Sequence, residues 1–351
     1  MKNLQLSAPI VQAPLAGGPS TPELAAAVSN AGGLGFVAAG YLTPEALSAA
    51  IQRTRALTSR AFGVNVFVPG AGPASPAVVQ DYAARLGPES QRAGVALGAP
   101  RFDDDHYQAK LDLLAAEPPA VVSFTFGCPD PGVIARLQGV GAAVWVTITT
   151  PQEAQAAVTA GADALVVQGV EAGGHRASFD DRAEHEQFGL LALLQLVRSR
   201  VAAPLIGAGG IATGHGVAAV LAAGAEAAAI GTAFMRCYEA ATSPIHRAAL
   251  SSPAPTGVTR AFTGRLARGV VNRFMTEHNA EAPSAYPETH YLTAPLRAHG
   301  RQTGDQDLIN LWAGQAHALG QEMAAADLVA QLVDEARRAL ETARQRLGEP
   351  G

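Results

Sequence analysis

The sequence predicts an α/β fold, a (β/α)8 TIM barrel with a helical subdomain at its C-terminal end. Eight short apolar runs recur between residues 9 and 231, and most precede a segment with helical character. The runs are apolar throughout, which is typical of strands buried on both faces of a parallel sheet. Eight such units match a barrel, whereas a doubly wound sheet, the alternative, usually has fewer strands. The predicted strands cover residues 9–12, 35–38, 62–67, 120–124, 143–148, 164–168, 204–208 and 227–231.

Threonine–proline pairs mark the starts of three helices between these strands. They begin at Thr21, Thr43 and Thr150, and a threonine cap followed by proline is a helix-start signal. The stretch between the third and fourth strands is long enough to hold an insertion. Residues 169–187, after the sixth strand, are rich in glycine and charge. Because barrel loops after the strands build active sites, this loop is the first place to look for function.

The sequence pattern changes after residue 260. A segment rich in proline and tyrosine, residues 282–295, precedes helical periodicity at residues 305–319 and 325–347. We therefore expect two parts: a barrel over residues 1–260, and a C-terminal segment and helical subdomain over residues 261–351 that covers the substrate side.

Lysine is nearly absent from the chain. Lysine and arginine total 25, but the only lysines are Lys2 and Lys110. Neither stands where Schiff-base chemistry or a P-loop requires a lysine, so pyridoxal enzymes, lysine aldolases and P-loop NTPases are disfavoured. Lys110 falls in a helical pattern and is expected on a solvated face. The net charge of −5, without a basic block, disfavours nucleic-acid binding.

The cysteines and the N-terminal residues indicate the cellular compartment in which the protein is expected. Cys128 and Cys237 form neither a CxxC pair nor a metal-binding spacing, which fits a reducing compartment. The first residues show no signal-peptide pattern, so a cytoplasmic location is expected. Residues 201–225 lack Asp, Glu, Lys and Arg, but Pro204 and three glycines favour a strand, a turn and a buried helix over a membrane span.

Two glycine turns follow the seventh and eighth predicted strands. Gly209 and Gly210 lie in the first turn, and Gly231 and Thr232 lie in the second. Loops at these two positions of a barrel commonly bind phosphate, since backbone N–H groups and a helix start attract an anion and glycine permits close approach. The two turns together therefore predict a phosphate site, although glycines can also serve only to make tight turns.

His175 is the candidate catalytic residue. It lies at the end of the sixth predicted strand, directly after Gly173 and Gly174, where glycine lets the backbone pass close to a flat ligand. Imidazole titrates near neutral pH and can accept or donate a proton. The other eight histidines fall in helical, charged or peripheral contexts.

One acidic cluster could suggest a metal site. It has no recognised ligand spacing, and a solvated loop is the better interpretation, so no metal is predicted. Its members are Asp180, Asp181, Glu184 and His185.

The chain resembles the nitronate monooxygenases, FMN enzymes formerly called 2-nitropropane dioxygenases, and among them the class I group. Glycine turns are shared by many FMN barrels, but Ser-Phe-Thr-Phe-Gly at residues 123–127 and Glu-Ala-Gly-Gly-His at residues 171–175 are more specific. The similarity covers nearly the whole length, with landmarks at residues 13–18, 63–67, 123–127, 168–176, 208–211, 231–234 and 311–315.

The resemblance implies FMN as cofactor and assigns roles to individual residues. His175 matches the catalytic histidine, and Tyr286, Tyr291 and Trp312 are expected on the substrate side. Many relatives carry glutamine where this chain has Ala229, which removes one polar contact from a site made mainly by backbone N–H groups. The FMN-binding positions are expected to be Pro14, Leu15, Asn65, Gln168, Gly173, Gly174, Gly209, Gly210, Ala229, Ile230, Gly231 and Thr232.

The resemblance also implies the reaction. A nitronate, in class I propionate 3-nitronate, reduces FMN, O2 reacts, and the product loses nitrite to give a carbonyl compound; from a neutral nitroalkane, His175 would remove the proton. Four arginines either attract the anionic substrate or serve surface solubility. They are Arg176, Arg265, Arg268 and Arg273.

Two other functions remain open at this stage. The first is an NAD(P)H-dependent FMN enoyl or quinone reductase, and the second is a barrel that binds a phosphorylated ligand without turnover. The partners expected are a small anionic nitronate and O2, with no nucleic acid and no membrane, in a monomer or homodimer.

Overall fold

A ring of parallel strands forms the centre of the fold, in agreement with the prediction. The computed structural model describes residues 4, 6–182 and 186–348. Within them, eight strands form one parallel sheet in the order β1–β9–β8–β6–β5–β4–β3–β2. These strands are β1 (Ile10–Gln12), β2 (Gly35–Ala38), β3 (Phe62–Phe67), β4 (Val121–Thr125), β5 (Ala143–Ile148), β6 (Ala164–Gln168), β8 (Leu205–Ala208) and β9 (Ala227–Ile230).

Leu34 brings the two ends of this sheet together. Its N–H donates to the carbonyl of Ile10, and its own carbonyl accepts from the N–H of Gln12, both at 2.9 Å. Leu34 directly precedes β2, so these bonds join β2 to β1 and nearly close the barrel. Most side chains of the eight strands are buried on both faces, as the unbroken apolar runs predicted.

Helices surround the strands, and their starts follow the predicted signals. The hydroxyls of Thr21, Thr43 and Thr150 each accept an N–H from the first turn of the helix that follows. The helices are α1 (Pro22–Asn30), α2 (Pro44–Leu57), α3 (Pro76–Arg85), α4 (Gly87–Ala93), α5 (Tyr107–Ala116), α6 (Pro131–Gly139), α7 (Pro151–Ala160), α8 (Leu190–Arg198), α9 (Gly214–Ala222), α10 (Pro244–Leu250), α11 (Arg273–His278), α12 (Glu288–Thr303) and α13 (Ala325–Arg346). The insertion between β3 and β4 consists of α3, α4 and α5.

A second, antiparallel sheet joins the loop after β6 to the C-terminal part of the chain. It consists of β7 (Gly174–His175), β10 (Thr256–Thr259) and β11 (Ala267–Val270), in the order β10–β11–β7. Ala267 pairs with His175, and Arg268 pairs with Gly174. This sheet could not be predicted from the sequence, because β7 is only two residues long and carries no strand pattern of its own.

The C-terminal helices differ in part from the predicted ones. The long α13 was predicted, and Gly214 of α9 lies so close to it that an added Cβ would stand 2.2 Å from the Cβ of Glu335. The predicted helix at residues 305–319 was wrong, since this stretch holds only two 3₁₀ turns, Gln306–Leu308 and His317–Leu319. The α12 helix instead occupies the proline- and tyrosine-rich segment, and Pro295 lies inside it.

Residues 201–225 fold as the predicted strand, turn and helix, namely β8, a glycine turn and α9. Among the residues that the structure describes, no helix is long and apolar enough to cross a membrane.

Lys110 was expected on a solvated face, and that prediction was wrong. Its side chain is fully buried, its ammonium lies 2.7 Å from Oδ2 of Asp105, and it donates to the carbonyl of Ala39 at 2.9 Å. The other oxygen of Asp105 accepts the N–H of Tyr41 at 2.9 Å. Burial lowers the pKa of Lys110 and raises the pKa of Asp105. The helical pattern could not reveal this, since the partner carboxylate belongs to the preceding loop.

Candidate active site

A large cavity opens at the carboxyl ends of the barrel strands. Its volume is about 610 Å³, within the range of pockets that hold drug-sized ligands and cofactors. The loops after β1, β6, β8 and β9 contribute to its lining. This is the end of a parallel barrel at which active sites are found.

Most of the residues singled out from the sequence meet in this cavity. Ile230, Tyr286 and Tyr291 are not among its lining residues: Ile230 is buried in the barrel wall, and the hydroxyl of Tyr291 donates to Asp103 at 2.7 Å. Those that line the cavity are Pro14, Leu15, Asn65, Gln168, Gly173, Gly174, His175, Gly209, Gly210, Ala229, Gly231, Thr232 and Trp312.

The glycine turns form one end of the cavity. Gly209 and Gly210 have φ angles of +120° and +67°, which side chains rarely adopt, so glycine is required there. Gly173 is packed so tightly that an added Cβ would lie 2.4 Å from the nitrogen of Gly314. That same nitrogen donates to the hydroxyl of Thr232 at 3.0 Å. The C-terminal segment therefore holds both the histidine loop and the turn after β9.

Asn65 and Gln168 contribute amides to the cavity wall. The amide nitrogen of Asn65 lies 2.9 Å from the hydroxyl of Ser123 and 3.0 Å from that of Thr125. The amide of Gln168 donates to the carbonyl of His175 at 3.1 Å and accepts the N–H of Ala177 at 2.9 Å. Gln168 thus fixes the backbone on both sides of residue 176.

His175 is held by a hydroxyl and by three aromatic rings. Its Nε2 lies 3.0 Å from Oγ1 of Thr263, and that hydroxyl also lies within donating distance of the carbonyl of Arg265, at 3.3 Å. Its ring centroid lies between 5.6 and 5.7 Å from the surrounding aromatic rings, those of Phe126, Tyr286 and Trp312. The strand pairing of β7 with β11 fixes the backbone beneath it.

The surroundings of His175 disfavour its charged form. Burial lowers the pKa of His175 to about 3, and the positive charges of Arg265 and Arg297 act in the same direction. Burial likewise lowers the pKa of His290, on the same cavity, to about 2. Both imidazoles are therefore neutral bases at physiological pH.

We expect neither ring to titrate between pH 8 and pH 5. A base with a lowered pKa stays neutral as the pH falls, whereas an ordinary histidine, with a pKa near 6.5, becomes charged over this interval. NMR of the imidazole protons, assigned with the variants His175→Asn and His290→Asn, measures this directly. A titration midpoint near 6.5 assigned to either ring would contradict it.

A second set of lining residues was not predicted from the sequence. Tyr41, His290 and Arg297 line the cavity, and the ring of Tyr41 stacks on that of His290 at 4.6 Å. The hydroxyl of Tyr286 donates to that of Tyr41 at 3.1 Å. The only available signal was the polar and aromatic character of the segment that forms α12.

Three histidines that were expected in peripheral or helical contexts also line the cavity. His246 lies in α10, His290 in α12 and His317 in a 3₁₀ turn.

The four arginines are not free on the surface, and three of them bind backbone. Arg176, Arg265 and Arg268 are buried and donate to backbone carbonyls. Arg273 forms an ion pair with Glu89.

Asp181 was expected in a solvated loop, yet its carboxylate lies 3.2 Å from Nε of Arg260 and accepts the hydroxyl of Ser284 at 3.0 Å. Two other members of that acidic cluster, Glu184 and His185, lie outside the described residues.

Comparison with known sequences gives one consistent result. The family described as nitronate monooxygenase matches residues 1–335. A nitronate monooxygenase of Paraburkholderia phytofirmans is 40% identical over 97% of this chain and 96% of its own length. One of Pseudomonas aeruginosa is 41% identical over 95% of this chain and 97% of its own length.

Solved structures agree with the sequence comparison. A nitroalkane oxidase from Streptomyces ansochromogenes is 49% identical, with a TM-score of 0.94 over 97% of this chain and 98% of that chain. FabK from Thermotoga maritima is 26% identical, with a TM-score of 0.77 over 98% of this chain and 97% of that chain.

Proposed function

The chain belongs to the nitronate monooxygenase family, and we propose that it uses FMN and O2 to oxidise alkyl nitronates to a carbonyl compound and nitrite. The observation that carries this proposal is a neutral, half-buried histidine that lines the same cavity as two glycine turns. A flavin at those turns would lie between the phosphate-binding backbone and His175.

The residues present fit FMN. The turns after β8 and β9 offer backbone N–H groups near a helix start, which favours a phosphate. Gly17 and Gly174 border the cavity, and an added Cβ at either would meet no atom within 4 Å, so there is open space beside the backbone. The side-chain amides of Asn65 and Gln168 could bond to the polar edge of the flavin ring. Apolar contacts would come from Pro14, Leu15 and Ala229. We also propose that the backbone of Ile230, at the end of β9, contacts FMN.

Bound FMN supplies electron transfer from the substrate to O2, and the protein supplies position, charge and a proton acceptor. A preformed nitronate needs no base, so the residues around it only bind and orient it. For a neutral nitroalkane, His175 takes the proton from the carbon that bears the nitro group, and the electron pair of that C–H bond moves onto the nitro group. Trp312 and Tyr286, whose rings border His175, exclude water from this step.

Thr263 decides which nitrogen of His175 acts as base. With its hydroxyl proton directed to the carbonyl of Arg265 at 3.3 Å, Thr263 would accept Nε2–H of His175 and leave the free electron pair on Nδ1. A hydrogen-bond partner of this kind commonly selects the tautomer.

We expect Thr263→Val to lower kcat for a neutral nitroalkane about 10-fold, the value of one hydrogen bond, because the tautomer is no longer fixed. The rate with a preformed nitronate is expected to be unchanged. Thr263→Ser, which keeps the hydroxyl, is the matched control and is expected to restore the rate. Equal losses with both substrates would assign Thr263 to packing.

The substrate we propose is propionate 3-nitronate, which carries negative charge at both ends. The cavity supports an anionic substrate, because Arg265 and Arg297 act on His175 electrostatically and Arg301 also lines the cavity. Of the tyrosines expected on the substrate side, Tyr286 is the better placed.

An absorbance spectrum followed by anaerobic mixing tests the function. We expect a yellow protein whose flavin is bleached by propionate 3-nitronate and not by NADH or NADPH. Bleaching by NADH or NADPH alone would contradict the proposal and select the reductase alternative. A colourless protein that takes up no FMN on titration would select a barrel without turnover.

We also propose three further properties of the chain. They are the division at residue 260, the cytoplasmic location and the monomeric or homodimeric state.

A further inference from the structure

Among the residues that the structure describes, no carboxylate pairs with the buried cation of Arg297. This arginine lies on α12, is 6% exposed and lines the cavity. The charged and titratable groups that act on its guanidinium are Tyr41, Tyr286 and Arg301, none of them a carboxylate. Because a buried charge is costly unless it is paired, an arginine in this state is typical of a site that binds an anion.

Hydrogen bonds satisfy only part of the guanidinium. Its Nε donates to the hydroxyl of Thr293 at 3.2 Å, and its Nη2 donates to the carbonyl of His290 at 2.6 Å and contacts Nδ1 of that ring at 3.3 Å. Among the described residues, none is bonded to Nη1.

Arg247 shows what a structural arginine looks like in the same chain. Its Nε, Nη1 and Nη2 all donate to backbone carbonyls. The accepting residues are Arg236, Cys237, Ala240 and Thr242. Among the described residues, Nη1 of Arg297 therefore has no acceptor, whereas all three guanidinium nitrogens of Arg247 donate to backbone carbonyls.

Arg297 and His175 line the same cavity. The ring of Tyr286 lies 5.7 Å from that of His175 and 6.4 Å from that of His290, and His290 in turn contacts Arg297. The charge of Arg297 reaches His175. A small molecule beside His175 could therefore extend toward the guanidinium.

We propose that Arg297 binds a carboxylate at the far end of the substrate while the nitronate group lies beside His175. This inference rests on the proposed function and names the residue that selects a substrate with a second anionic group. A guanidinium suits this role because its planar fork matches a carboxylate. Arg301 lies one turn further along α12 and is exposed. It therefore attracts anionic substrates in general and does not recognise the carboxylate itself.

The test compares two nitronates that differ only at that end. Propionate 3-nitronate carries the carboxylate, and propyl 1-nitronate has a methyl group in its place. We expect Arg297→Met to lower kcat/KM for propionate 3-nitronate between about 10-fold and 150-fold, the range for a hydrogen bond to a charged group. The value for propyl 1-nitronate is expected to stay within about threefold, since it makes no such bond.

Two further variants separate binding from folding and from general charge. Arg297→Lys keeps the charge without the fork and is expected to lose part of the selectivity while remaining folded. Arg301→Met removes a charge from the same helix and is expected to lower the value for the doubly charged propionate 3-nitronate slightly more than that for propyl 1-nitronate, a small effect that added salt abolishes. If Arg301→Met changes the ratio as much as Arg297→Met does, the inference is overturned.

The remaining outcomes are also decisive. Equal losses of Arg297→Met with both nitronates would overturn the inference while leaving the proposed function intact. A wild-type protein that oxidises neither nitronate would instead overturn the proposed function. If the wild-type flavin is reduced by NADPH, and only that reduction is sensitive to Arg297→Met, the guanidinium belongs to a dinucleotide site and the inference fails.

Discussion

Replacing His175 with asparagine is expected to lower kcat for a neutral nitroalkane by a factor of about 10² to 10⁴, the usual contribution of a positioned base. Asparagine keeps a polar side chain of similar reach but cannot accept the proton. Because Gln168 and the β7–β11 pairing hold the backbone of this loop, the variant is expected to retain yellow FMN. Stopped-flow reduction of the flavin by nitroethane measures the loss.

The preformed nitronate provides the internal control for this variant. Its oxidation needs no proton acceptor, so its rate is expected to fall much less than that of nitroethane. His215→Asn changes an exposed histidine on α9 and is expected to behave as wild type. Full activity of His175→Asn on nitroethane would remove His175 from its assigned role.

Replacing Lys110 with methionine is expected to lower the free energy of unfolding by about 3–5 kcal/mol, the cost of breaking a buried ion pair. Methionine fills a similar volume but leaves the carboxylate of Asp105 buried without its cation. Since Asp105 also accepts the backbone N–H of Tyr41, the loss is expected to extend to the cavity that Tyr41 lines. Urea denaturation followed by circular dichroism measures the change.

An exposed ion pair between α5, the helix of Lys110, and α6 is the matched control. Arg136 and Asp112 lie 2.7 Å apart, with 46% and 56% of their side chains exposed, and Arg136→Met is expected to cost no more than about 1 kcal/mol. The double variant Lys110→Met with Asp105→Asn removes both charges and is expected to recover part of the stability. A cost for Lys110→Met no larger than that for Arg136→Met would show that the buried pair contributes nothing.

The barrel could be predicted from the sequence because its signals are local. Each strand is a run of apolar residues, and each of three helix starts is a threonine whose hydroxyl caps its own first turn. His175 and the glycines of the two turns follow directly from strand ends, since parallel strands bring their carboxyl ends to one side. For these residues, the place directly after a strand in the sequence was enough to predict their place at the carboxyl end of the barrel.

The rest could not be predicted, because its positions depend on distant partners. The helical pattern predicts a solvated face for Lys110, because it does not show that the loop before the helix brings Asp105 beside the ammonium. Arg297 and His290 belong to a helix that contains Pro295, and proline normally argues against a helix interior. The pairing of β7 with β11 joins residues that carry no strand pattern of their own.

That pairing has a consequence for the order in which the protein is made. Thr263, the partner of the His175 ring, lies 88 residues further along the chain, and β11 follows it. Chains fold from the N-terminus during synthesis, at roughly 5–20 residues per second. The eight barrel strands therefore leave the ribosome before the segment that orients the histidine. A nascent chain can form its barrel strands several seconds before the segment that contacts the His175 ring is available, and both the histidine loop and the turn after β9 gain their C-terminal contacts only afterwards.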